Sequence, residues 1–176
     1  MRKILVPVIT VVLAAVILLG LYNGFALDRQ VNEAHDLQVK MEAMLPGSKI
    51  FTPEPYTGED TNIHRVWKGE TGYIVETITY GYAGNIRMLV GVCNDGNVTG
   101  LQIRDMHETY GLGREALTDW EFLRQFLRTE GDAEIGNGID AISGATVTSK
   151  AVARSVNSAV GFVTGADTSS GATSWG

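Results

Sequence analysis

The chain has 176 residues, 44% hydrophobic and 19% charged, with a formal net charge of −6. That length suits one domain, and an acidic balance with no Lys/Arg cluster interleaved with aromatics argues against nucleic-acid binding and for protein partners. One cysteine, Cys93, excludes an internal disulfide and any thiolate-built zinc or iron–sulfur site from this chain alone.

The first signal along the chain is Met1-Arg2-Lys3 followed by Ile4 to Leu27 without a charged residue. About 24 residues at ~1.5 Å each reach ~36 Å, enough for a hydrocarbon core of ~30 Å, so residues 1–27 are predicted to be a transmembrane anchor. A cleaved signal peptide fits less well. The run is long for one, and Asn23 to Leu27 offers no Ala-x-Ala site. Arg2 and Lys3 precede the span, whereas Asp28, Arg29 and Glu33 follow it, which places the N-terminus inside and the following domain outside the cell membrane.

Val31, Ala34, Gln38, Met41 and Leu45 recur at helical spacing, and Pro46-Gly47 ends that pattern. Phe51 to Thr71, with Pro53, Pro55 and Gly58, reads as an irregular arm, so residues 28–72 form a juxtamembrane helix and arm. Tyr73 to Tyr80, Ile86 to Cys93 and Val98 to Arg104 are rich in β-formers and predict an antiparallel meander. Asn94-Asp95-Gly96-Asn97 is its hairpin turn. Cys93, in a strand, is expected to be buried and inert. Thr118 is expected to cap a helix over Asp119 to Arg128 that turns Trp120, Leu123, Phe126 and Leu127 inward. Lys150 to Val163 carries Val152, Val156, Ala159, Val160 and Val163 on one face of another helix. The expected fold class is α+β, with the domain over 73–165 and a tail over 166–176.

The segment with chemical content is Asp140-Ala141-Ile142-Ser143-Gly144-Ala145-Thr146-Val147-Thr148-Ser149. Its small residues let a ligand approach the backbone where a helix begins, and free N–H groups with the helix dipole behind them favour an anion there. A second segment, His107-Glu108-Thr109-Tyr110-Gly111-Leu112-Gly113, reads on its own as a turn. The histidines His35, His64 and His107 never fall at i, i+3 or i+4 to one another, so no His-rich metal site is expected. Two loose dinucleotide fingerprints, Gly111-x-Gly113-x-x-Ala116 and Gly136-x-Gly138-x-x-Ala141, lie outside any βαβ unit. A Ser-x-x-Lys nucleophile fails because Val147 stands three residues before Lys150.

Together the two segments resemble the FMN-binding domain family, over roughly Tyr73 to Val163. The first resembles its flavinylation motif, in which the last threonine of Asp-x-x-Ser/Thr-Gly-Ala-Thr is esterified to the phosphate of FMN. The second resembles its His-x-Glu-Thr-Pro-Gly-Leu-Gly loop, shortened by one residue and with Tyr110 in place of proline. Trp120 to Phe126 resembles its Trp-x-x-x-Phe helix. The resemblance implies covalent FMN on Thr146, with Ser143, Gly144, Ala145, Val147 and Thr148 around it and Asp140 read by a flavinyl transferase that uses FAD. It also implies flavin contacts from His107, Glu108, Thr109, Gly111, Leu112 and Gly113. A protonated His107 would favour the anionic reduced ring, and Glu108 would hold the loop backbone.

An anchor joined to one such domain is similar to the G subunits of membrane-bound Rnf-type complexes, which couple electron transfer between ferredoxin and NAD to ion translocation. The resemblance therefore implies an electron carrier among other membrane subunits, with no substrate turnover of its own and no metal. Three other readings stand beside it: a C subunit of a sodium-translocating NADH:quinone reductase, a free-standing extracytoplasmic FMN protein, and a non-redox scaffold. In the tail, Asp167-Thr168-Ser169-Ser170-Gly171-Ala172-Thr173 repeats the motif, which makes Thr173 a second candidate acceptor.

Overall fold

The computed structural model describes residues 2–108 and 113–166, with the backbone alone for 2–13, 23–28 and 30. It divides into two units, Met1–Lys40 and Met41–Gly176.

The first unit consists of helix α1 (Arg2–Met44), which continues into the start of the second. Nothing between Leu27 and Pro46 breaks a helix, so the apolar run and the expected juxtamembrane helix are one element. Asp36 and Lys40 pair across one turn at 2.6 Å, acid before base, the order that suits the helix dipole. Val16, Ile17, Leu18, Leu19, Leu21 and Tyr22 are all at least 54% exposed. Among the described residues no helix is long and apolar enough to cross a membrane. Of the apolar run 4–27, side chains are described only for 14–22.

In the second unit β1 (Thr52–Glu54), β2 (Ile63–Lys68), β3 (Gly72–Tyr80), β4 (Asn85–Cys93) and β5 (Val98–Met106) form one antiparallel sheet in chain order. The sheet contains the expected meander, and the arm, read as irregular, supplies two further strands. A register shift between Ile63 and Arg65 breaks the alternation that would have revealed β2. β1 carries Pro53 and is an edge strand, where a missing N–H is tolerated. The 94–97 turn closes as its sequence suggests, with Gly96 at φ +91 and its N–H donating to the Cys93 carbonyl at 2.9 Å. Cys93 is only half-buried, and burial, with Asp95 nearby, pushes its thiol pKa up.

Beyond the sheet come α2 (Gly113–Ala116), α3 (Trp120–Leu123), a 3-10 turn (Arg124–Phe126), the two-residue strands β6 (Glu134–Ile135) and β7 (Gly138–Ile139), and α4 (Thr146–Thr164). Asp119 caps α3, not Thr118: its Oδ1 accepts from the Glu121 N–H at 2.8 Å and the Phe122 N–H at 3.3 Å. This start turns Phe122, Leu123 and Phe126 inward and leaves Trp120 60% exposed. The expected inward Trp120 and ten-residue helix are corrected accordingly.

α4 lies across one face of the sheet. Val152, Val156, Ala159 and Val160 are fully buried against a core that includes Val75, Met88, Val90, Phe122 and Phe126. Each such valine contributes about 1.5 kcal/mol or more on burial. Buried hydroxyls lock the contact: Thr79 Oγ1 donates to the Ala151 carbonyl at 3.1 Å and lies 2.9 Å from Ser155 Oγ. On the opposite face, Ile74, Gly91 and Gly100 form one row across three strands. The end of α1 rests there, because a Cβ on Gly100 would stand 2.7 Å from Met44 Cα and one on Gly91 2.8 Å from its carbonyl oxygen.

Candidate functional site

α4 begins at Thr146 itself, four residues before the position its apolar face suggested. Its N-cap, Ala145, supplies no side-chain acceptor, and its first turn contains no acidic residue. The helix therefore presents its first-turn N–H groups, and the positive end of a 19-residue dipole, with no negative group of its own. Gly144, at φ +79, makes the sharp entry that a side chain would resist.

This entry turn is held at both ends. Ser149, fully buried, donates its hydroxyl to the Ala145 carbonyl at 2.9 Å and accepts from the Ile142 N–H at 3.4 Å. The Ala145 N–H closes the turn on the Ile142 carbonyl at 2.9 Å. Upstream, Gln125 grips the backbone of Asp140, accepting from its N–H at 2.8 Å and donating to its carbonyl at 3.3 Å. Asp140, Ser143, Gly144 and Thr146 are exposed, Val147 is half-buried, and Ala145 and Thr148 are buried. The Thr146 hydroxyl thus stands open on a braced turn.

Thr148 Oγ1 is buried and has no hydrogen-bond partner among the described residues. It faces Gly113, where an added Cβ would stand 2.7 Å from it and 2.5 Å from Glu108 Oε2. Glu108 in turn reaches the β3–β4 hairpin, its Oε1 accepting from the Tyr82 N–H at 2.8 Å and its Oε2 from the Ala83 N–H at 3.3 Å. Glu108, Gly113 and Thr148 are therefore brought together across three segments, and Glu108 holds loop backbone. His107 is 73% exposed, with Nδ1 4.0 Å from Asp105 Oδ2. Thr109, Gly111, Leu112 and Thr173 lie outside the described residues.

An exposed nucleophilic hydroxyl, an uncapped helix N-terminus and an orphaned buried hydroxyl suit a phosphate bearing a larger organic group. Among the described residues no carboxylate and base converge at the turn in a way that would serve hydrolysis. Gln125 escaped the sequence reading, and Ser149, which closes the motif segment, carried no role there. Ser149 lies four residues after Ala145, a spacing at which a helical serine can bond back to a carbonyl. Gln125 left no sequence signal.

The FMN-binding domain family matches residues 81–161 of the chain. The G subunit of an ion-translocating oxidoreductase complex from Methanosarcina acetivorans is 32% identical over 92% of this chain and 93% of its own length. The G subunit of a Na(+)-translocating ferredoxin:NAD(+) oxidoreductase complex from Acetobacterium woodii is 41% identical over 51% of this chain and 47% of its own. Its counterpart in a proton-translocating ferredoxin:NAD(+) oxidoreductase complex from Clostridium ljungdahlii is 40% identical over 52% and 53%. The chain spans about half the length of those last two relatives. With the FMN-binding match over the hairpin, the braced turn and α4, and a relative aligned along nearly the whole chain, this protein belongs to the family of G subunits of ion-translocating oxidoreductase complexes.

Proposed function

We propose that this chain carries FMN joined through its phosphate to the Thr146 hydroxyl, and that it relays electrons between other redox subunits of a membrane-bound Rnf-type complex. There, electron transfer between ferredoxin and NAD drives ion translocation. The observation that carries this reading is the Thr146 hydroxyl, exposed at the first position of a helix whose N-terminus is uncapped, beside the unpartnered Thr148 hydroxyl. The uncapped N–H groups would hold the phosphodiester. A phosphodiester leaves the ring's electronics alone, so the tether serves retention, and the bound flavin supplies the capacity to accept and release electrons.

Maturation in this reading needs a flavinyl transferase with FAD as donor, which meets an exposed Asp140 and Thr146. Residues 4–27 span the cell (inner) membrane with the N-terminus inside, so the domain stands on the extracytoplasmic side. The continuous backbone helix of α1 supports that assignment. The other subunits of the complex are the expected partners.

The test is the intact mass of protein made together with a flavinyl transferase, for the native chain, Thr146→Ala and Thr173→Ala. One FMN increment that disappears only in Thr146→Ala is the expected result. Two increments on the native chain would add Thr173 as a second acceptor. No increment, with the transferase active on a control, would overturn the covalent reading.

A further inference from the structure

From Thr148 to Val160 every residue of α4 is buried except Lys150 and Arg154. With half-buried Val147 these fall at i, i+3 and i+7 and share one edge of the helix. Among the described residues of that stretch of α4, this edge is where a group tethered at Thr146 could rest. Both of its polar residues are cationic.

Arg154 is the more telling of the two. Its Nη2 donates to the Tyr80 carbonyl at 2.8 Å, and it takes part in no ion pair among the described residues. Burial pulls its pKa below the ordinary arginine value, yet a guanidinium stays charged. Partly solvated and bonded to a neutral carbonyl, Arg154 can still act through its charge on a group that settles beside it. It stands eight residues beyond Thr146, roughly 12 Å along the axis, a distance comparable with the reach of a ribityl phosphate and its ring. Tyr80, 64% exposed, belongs to the hairpin that Glu108 and Arg154 both hold.

We propose that the Lys150–Arg154 edge of α4 is the bed for the isoalloxazine ring of the flavin at Thr146, with the Arg154 guanidinium facing the ring's N1 and C2-carbonyl edge. The inference rests on the Thr146 reading. Negative charge gathers at that edge when the ring is reduced, so a fixed cation there makes reduction easier. Lys150, one turn from Thr146, lies near the charge of the phosphodiester.

The test uses the full chain carrying one FMN, verified by intact mass, and reads the flavin midpoint potential by spectroelectrochemistry. Arg154→Gln should shift the potential to more negative values, and Arg154→Lys should restore part of the shift. Lys68→Gln serves as the control for net charge. It pairs in register with Tyr73, at the far end of β3 from the hairpin, roughly 23 Å from Tyr80, and should leave the potential where it was. Circular dichroism and a urea melt check that each variant is folded. An unchanged potential in folded, flavinylated Arg154→Gln, or an equal shift in Lys68→Gln, would overturn the bed while leaving the tether intact. Absence of FMN from the native chain would take both down.

Discussion

Glu108 accepts the Tyr82 N–H at 2.8 Å, so the segment following β5 fixes the tip of the β3–β4 hairpin beside the start of α4. A charged acceptor serving two backbone donors is a short strut between elements more than twenty residues apart in sequence. Removing it in Glu108→Ala should cost about 1 to 2 kcal/mol, in the range for hydrogen bonds to charged groups with partial exposure. Glu108→Gln keeps a neutral acceptor and should lose less. Urea melts read the stability, and amide exchange at Tyr82 and Ala83 should quicken in Glu108→Ala; unchanged exchange there would remove the strut.

Thr148 offers a prediction of opposite sign. Its hydroxyl is buried without a partner, so Thr148→Val exchanges an unsatisfied polar group for a methyl of similar shape. In the flavin-free chain this should leave stability unchanged or raise it by up to about 1 to 2 kcal/mol. A loss of stability in a urea melt would mean the hydroxyl is bonded after all.

Asn157 on α4 clamps Ala133, its Oδ1 accepting from the Ala133 N–H at 3.1 Å and its Nδ2 donating to the Ala133 carbonyl at 3.0 Å. Asn157→Ala would strand both backbone groups in a buried setting. The expected destabilisation is about 2 to 4 kcal/mol, read as a lowered Tm.

Gly100→Ala tests how closely the end of α1 rests on the sheet. The new Cβ would meet Met44 backbone and side chain at 2.7 to 2.9 Å, with no flexible atom to yield first. A cost of about 1 to 3 kcal/mol follows from overpacking. At Gly136, by contrast, an added Cβ meets nothing within 4 Å, so any loss there reflects its φ of +88 alone.

Glu70 sets a pH dependence. Its pKa lies below the usual 4.5, chiefly through its own backbone N–H and, after opposing desolvation, through the N–H groups of Lys49 and Ile50. A carboxylate with a depressed folded-state pKa stabilises fully above its unfolded value, and that stabilisation fades as pH falls through the folded value. Amide exchange at Lys49 and Ile50 should therefore quicken below about pH 4.5 relative to their neighbours. In Glu70→Gln that acid step should vanish.

Much of the fold was legible along the chain because its signals are local. Alternating β-formers gave away β3, β4 and β5, and Gly96 gave away the turn between β4 and β5, since a hairpin needs a positive φ there. β2 stayed hidden because its bulge breaks the period of two, and the arm's prolines suggested irregularity where Pro53 merely marks an edge strand. α3 was misread because two adjacent residues, Thr118 and Asp119, can both cap a helix. Which one does so depends on whether Phe122 or Trp120 reaches the core, and that is settled by packing.

The sequence alone determined the Asp140–Thr146 pattern, the small residues at Gly144 and Ala145, and the acidic single-cysteine composition, because each depends on residue identity at short range. Tertiary structure decided what surrounds them. Gln125 and Ser149 brace the turn, Glu108 ties the hairpin to it, and Lys150 and Arg154 stay half-buried while the rest of that stretch of α4 is buried. Apart from the Ser149 bond back to Ala145, which is local, those relationships depend on residues far apart in the chain, and no local propensity records them; they arise only when the sheet and α4 close on a shared core.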